Sequence, residues 1–187
     1  MAGKLTALAA LVLASVALLS VGSAQGAGLI APASVCPGQN SLGAPPAAQE
    51  ETMLCMTNYA REQYGEGNLE PESELQSSAA SKARDVIRCD EFSHNACGRE
   101  FTYWMRSTGY LSSKCWRVGE NLAWGVGAFG SVGSIFRAWM RSTTHRENLL
   151  TGSFEEVGID LVVGRLDGVR GTRIWAQHFG THCEPQS

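Results

Sequence analysis

The chain has 187 residues, 44% of them hydrophobic and 18% charged, with a formal net charge of −3. That length suits one domain able to bury a proper core. No basic stripe or run is present, which excludes nucleic acid as an electrostatically held partner.

Residues 1–26 read as a secretion signal peptide. Lys4 supplies the positive start, Leu5 to Val21 the apolar run, and Gly22 to Ala27 the small residues for cleavage near Ala24 to Ala27. The run is slightly short for a spanning helix, and small residues follow it rather than a basic cluster. The expectation is a secreted, extracellular protein with no membrane span after cleavage. Removal of Lys4 leaves about 160 residues and a net charge of −4.

Residues 27–47 hold Pro32, Pro37, Pro45 and Pro46 among Gly, Ala and Ser, an irregular lead-in to a domain over 48–187. A helix follows from about Ala47 to Tyr64, with Met53, Leu54, Met56 and Tyr59 on its apolar side and Gly65 as its stop. Seven acids between Glu50 and Glu74, against the single base Arg61, suit a solvated helix face. Ser73-Glu74-Leu75-Gln76 matches a capping box. Leu75, Ala79, Ala83, Val86 and Ile87 then line one helix face, and the alanines imply close packing. A third helix spans about Gly98 to Ser107, and Asn121 to Gly125 is a short strand or loop. A fourth helix, about Ser131 to Arg141, buries Val132, Ile135, Phe136, Trp139 and Met140. The period then changes to two, and strands at 157–163 and 173–179 form a hairpin around a turn region from Gly164 to Gly171. Helices first and strands last give an α+β layered fold.

Six cysteines remain after the leader: Cys36, Cys55, Cys89, Cys97, Cys115 and Cys183. An even count in an exported chain predicts three disulfides of undetermined pairing. No Cys-x-x-Cys pair supports a thiolate metal site. Cys89 and Cys97 bracket His94, so their bonds should stiffen its loop.

Three distant segments carry the chemistry: Phe92-Ser93-His94, Gly119-Glu120-Asn121, and Trp139 to Asn148 with Ser142 and His145. Imidazole and carboxylate are the side chains most used to bind metals and move protons. His94, Glu120 and His145 could ligate a divalent cation such as zinc. Glu120 could also be a structural carboxylate accepting backbone amides or fixing imidazole tautomers. His145 reads as close to a helix C-terminus, and a Ser142–His145 dyad is conceivable but lacks a nucleophile elbow. Asn148 is expected to bond backbone locally, His178 to be structural and His182 to lie on the surface. The five tryptophans are expected in the core.

Together with Asn58 and Arg61, Leu69 and Pro71, Gly109-Tyr110, Leu122-Ala123, Gly158 and Gln177-His178-Phe179-Gly180, these segments resemble the CAP superfamily. That superfamily comprises cysteine-rich secretory proteins, antigen 5 and pathogenesis-related class 1 proteins, and the likeness is to its secreted bacterial branch. It covers about Glu51 to Gly180. The resemblance implies a three-layer α–β–α sandwich with a cleft above the sheet. The family's cleft usually carries two His and two acids. His94, Glu120 and His145 match three of the places, and Ser142 stands at the fourth, which leaves a set of three ligands at most. For some relatives the resemblance implies sterol, lipid or divalent-cation binding, with no common enzymatic activity.

The leading expectation is a binding module for a lipid, a cell-envelope component or a protein. The alternative is a hydrolase, metal-dependent or acid–base, using the same cleft. A third reading makes the polar cluster a buried structural network.

Overall fold

A computed structural model describes residues 27–182. The segment read as a signal peptide and Cys183 lie outside the described residues. Helix α1 spans Pro46–Tyr64 and stops at Gly65, whose φ of 94° a glycine adopts without strain. The lead-in before it packs with the rest: Leu29, Ala31 and Cys36 belong to the core, and Cys36 is bonded to Cys55 of α1.

Strand β1, Glu70–Pro71, precedes α2, Ser73–Arg88. The α2 cap sits one residue earlier than the capping box predicted. Glu72 is the N-cap and accepts the Leu75 amide. Gln76 does not reach back; its Oε1 accepts the amide of Ile159 at 2.9 Å. Glu50 does the same for Leu161 at 3.0 Å. These side chains occupy donors that an open sheet edge would otherwise expose.

The third helix is shorter than expected. Helix α3 is only Tyr103–Ser107. Cys97 and Gly98 hold left-handed backbone, and Arg99 is extended, so the helix cannot start at Gly98. Arg99 instead reaches back to Asp85 at 2.9 Å. Strand β2 is long, Trp116–Val126. Helix α4, Val132–Arg141, matches its prediction. Ser142 breaks it with extended backbone, and a separate helix α5 runs Thr143–Leu150. His145 therefore lies in the first turn of a helix and not near a C-terminus.

Strands β3, Glu156–Leu166, and β4, Val169–His182, run through the region expected to turn. The connection is Asp167-Gly168 alone, both at positive φ, the two-residue turn whose twist suits a hairpin. The sheet order is β1-β3-β4-β2, with β1 parallel to β3 and the other pairs antiparallel.

The sheet is the middle of three layers. On one side Trp175, Phe179, Val157, Ile159 and Leu161 pack against α1, α4 and α5. On the other, Ile174, Ala176 and Leu122 pack against Ala79, Ala83 and Val86 of α2. The alternation along β4 follows from the two-residue period of a strand. Gly158 lets α2 come this close: a Cβ there would stand 2.1 Å from the Leu75 carbonyl carbon. Arg61, fully buried, ties the opposite layer by donating to the carbonyls of Gly67, Leu149, Thr151 and Phe154. Trp139 and Trp175 are core as expected, but Trp124 is exposed. Among the described residues no helix is long and apolar enough to cross a membrane.

Candidate functional site

Glu120 on β2 stands directly opposite His178 on β4. Both side chains face α2. His178 Nε2 lies 2.7 Å from Glu120 Oε2, and its Nδ1 is 2.8 Å from Ser78 Oγ on α2. The second Glu120 oxygen, Oε1, is 2.5 Å from His94 Nδ1. Ser78, His178, Glu120 and His94 thus form one chain of hydrogen bonds. It leads from a fully buried imidazole to one whose side chain is 57% exposed.

The loop carrying His94 is closed by the Cys89–Cys97 disulfide. It is pinned from below by Lys82 of α2, whose Nζ donates to the His94 carbonyl at 2.5 Å. Lys82 is fully buried. Burial alone would push the Glu120 carboxyl up. Hydrogen bonds from His178 and His94, with the nearby Lys82 charge, outweigh it and hold Glu120 below its ordinary value. An ionised carboxylate only accepts, so His94 Nδ1 and His178 Nε2 must be the donors. That fixes the His94 tautomer and leaves Nε2 as the ring's remaining basic atom. The Glu120 bond in turn raises the His94 pKa.

His145 reaches the neighbourhood by another route. Asn121 donates to its carbonyl at 3.1 Å, and Asn148 donates to Glu120 O and Asn121 Oδ1. These amides tie α5 to β2, a long-range role for Asn148 where a local one was expected. The His145 ring meets Ser142, Nδ1 to Oγ 2.8 Å. Burial and the charge of nearby His94 lower its pKa.

Of the residues singled out, His94 and Glu120 are thus in contact, while His145 pairs with Ser142. Both Glu120 oxygens are engaged by imidazoles. Among the described residues no three His, Cys, Asp or Glu side chains are grouped to hold a metal ion. With both oxygens engaged, Glu120 stands behind the His94 ring and orients it. The expected surface residue His182 is exposed, yet it stacks on Tyr110 with ring centroids 4.5 Å apart.

Ser78, Lys82 and His178 were missed as site residues. For α2 a signal existed: Ser78 and Lys82 fall on the stripe of Leu75, Ala79, Ala83 and Val86, so they had to be buried. His178 needed the register of β2 on β4, which no local pattern gives.

A separate cavity of about 660 Å³ lies between the lead-in, α1, α4 and α5. Leu29, Met140 and Leu150 are buried apolar residues in its wall. Arg137, Arg141 and Arg146 also line it, the last two exposed. None of His94, Glu120, Ser142 and His145 does.

Of the six cysteines, Cys36–Cys55 and Cys89–Cys97 are paired, and Cys115 is disulfide-bonded as well.

The chain is similar to an uncharacterised protein, YkwD, of Bacillus subtilis, at 28% identity over 132 residues. The match covers 71% of this chain and 47% of that protein, so the chain spans about half the length of the relative. Its fold is similar to an extracellular protein containing an SCP domain from Bacillus anthracis, with a TM-score of 0.58 at 20% identity, covering 72% of this chain and 40% of that one. An outer surface protein of Borrelia burgdorferi matches with a TM-score of 0.59 at 17% identity, over 71% of this chain and 92% of that one. A cysteine-rich secretory protein of Staphylococcus aureus gives 0.53 at 22% identity, over 72% and 38%. The family model of the cysteine-rich secretory proteins, CAP, matches residues 54–179, and with the layered α+β architecture around Glu120 this places the chain in that family.

Proposed function

We propose that this protein is exported and acts as a binding module for a ligand with an apolar body and an anionic head, such as an acyl chain ending in a carboxylate or phosphate. The observation that carries this reading is the cavity of about 660 Å³, whose buried Leu29, Met140 and Leu150 stand beside Arg137, Arg141 and Arg146. Apolar lining with a few placed charged groups is the usual make-up of a ligand site. Guanidinium is suited to bidentate capture of carboxylate and phosphate. The Ser78–His178–Glu120–His94 chain then serves as a buried network holding the opposite layer together, with the His94 ring presented at the surface. The test is binding of a fluorescent fatty acid and of vesicles with and without anionic lipid. Arg137→Glu with Arg146→Glu should abolish binding, and His94→Ala should leave it intact. Equal binding by the double arginine variant would overturn the reading.

A second reading is an acid–base hydrolase. It is favoured by the 2.8 Å Ser142–His145 contact beside the tautomer-fixed His94. A lowered His145 pKa keeps that ring neutral and able to take the Ser142 proton near pH 7. Turnover of an ester, peptide or glycan panel that disappears in Ser142→Ala would support it. No turnover across the panel would eliminate it.

A further inference from the structure

We infer that the Cys89–Cys97 bridge is a site of thiol–disulfide exchange with dithiols, and that it governs the loop that presents His94. The proposal is independent of which ligand the protein binds. It rests on three features of the bridge that Cys36–Cys55 does not combine.

The first is access. Cys89 is exposed and Cys97 half-buried, whereas in the other bridge Cys55 is half-buried and Cys36 fully buried. An incoming thiolate must approach a sulfur along the S–S axis, so exposure decides which bridge reacts. The second is the leaving group. The guanidinium of Arg88, itself 57% exposed, pairs through Nη2 with Asp85 Oδ1 at 2.7 Å and lies 3.5 Å from Cys97 Sγ. A cation beside a sulfur stabilises its thiolate and makes it the better leaving group. Once the Cys97 sulfur is protonated, its S–H can donate a hydrogen bond to the Asp85 carbonyl 3.4 Å away, which holds the opened form. The third is backbone. Cys97 holds φ 60° and Asp90 φ 51°, a left-handed conformation that costs energy in a residue with a Cβ. The bridge closes over a sequence separation of eight, and His94 lies inside it.

The exchange is written in two steps. A thiolate of the dithiol attacks Cys89 Sγ, and a new S–S bond forms. The Cys89–Cys97 bond breaks, and its electron pair leaves on Cys97 Sγ beside Arg88. The second thiol of the reductant then attacks the mixed disulfide and releases the Cys89 thiolate. The dithiol leaves as its intramolecular disulfide, and the two cysteines take protons from solvent. With the bridge open, the His94 loop keeps the Lys82 bond and the Glu120 bond but loses its covalent closure.

The test uses the purified oxidised protein, dithiothreitol titration, alkylation quench and peptide mass spectrometry. Cys89 and Cys97 should become alkylated at a dithiothreitol concentration at least about tenfold below that needed for Cys36 and Cys55. With glutathione, the trapped mixed disulfide should sit on Cys89. Arg88→Met should slow opening of this bridge several-fold and Arg88→Lys much less, with Cys36–Cys55 unchanged in both. Amide exchange over residues 91–96 should speed up on selective reduction, while that of α2 stays protected. Joint reduction of both bridges, a glutathione adduct on Cys97, or equal rates in Arg88→Met would overturn the exchange site. Unchanged amide exchange after selective opening would overturn its control of the loop.

Discussion

Lys82 holds the backbone carbonyl of His94 at 2.5 Å from a position with no solvent exposure. A buried ammonium is costly unless its charge and donors are used. Here it fixes the loop from within α2 and adds positive charge beside the Glu120 carboxylate. The layer under the sheet thus sets the place of the surface imidazole, while Glu120 of the sheet itself raises its pKa.

Removing the carboxylate tests that coupling. In Glu120→Gln the two imidazole donors face one acceptor and one N–H. The expected loss of stability is about 1–3 kcal/mol, the cost of leaving a buried polar group unsatisfied. Chemical denaturation measures it. A variant as stable as the parent would contradict a shared acceptor.

His94 and His145 should be shifted in opposite directions from an ordinary imidazole. His94 lies above the ordinary 6.5 and His145 below it. The raised His94 value contributes stability that is complete below 6.5 and fades as pH rises through its folded value. The lowered His145 and Glu120 values contribute stability above their ordinary values, lost as pH falls through the folded ones. NMR titration of the ring protons should give this order, with His94 moving down in Glu120→Gln. Coincident midpoints would contradict it.

Gly158→Ala places a methyl 2.1 Å from the Leu75 carbonyl carbon and 2.2 Å from the Gln76 amide nitrogen. Both are backbone atoms, so α2 must move off the sheet. The cost should be about 1–3 kcal/mol or more, with the His94 ring signals displaced because α2 carries Ser78 and Lys82. Calorimetry together with NMR checks both parts.

Arg61→Met leaves the Gly67, Leu149, Thr151 and Phe154 carbonyls without their shared donor. A loss of at least about 3 kcal/mol is expected, since several acceptors around one buried charge are orphaned together. A shift in thermal midpoint of only a degree or so would argue that water replaces the guanidinium.

Metal should matter little to the fold. With both Glu120 oxygens held by imidazoles, of the candidate ligands only the Nε2 atoms of His94 and His145 are left to ligate, and two imidazoles without the carboxylate should hold zinc too weakly for zinc or a chelator to move the thermal midpoint. A saturable zinc-dependent rise that His94→Ala removes would reverse this.

Much of the architecture was legible in the residues. The stripe of α2, the apolar face of α4 and the alternation of β3 and β4 are local periodicities that name the buried face without coordinates. His94 and Glu120 stood out because their residue types suit only a few tasks. The third helix and the capping box were misjudged where a long-range contact outweighed local preference: Arg99 is drawn to Asp85, and Gln76 to the edge of β3.

By itself the chain determined its family, its layered α+β form and two members of its polar chain, because periodicity and side-chain chemistry are properties of the order of residues. Only the folded molecule decided that Glu120 shares its oxygens between His94 and His178, that His145 turns to Ser142, and that Cys89 closes on Cys97. The first depends on strand register and on a contact between remote segments, 26 and 58 residues apart, which follows from the packing of whole layers and which no stretch of sequence encodes locally. The other two lie three and eight residues apart, and the folded molecule chose them from among pairings the sequence left open.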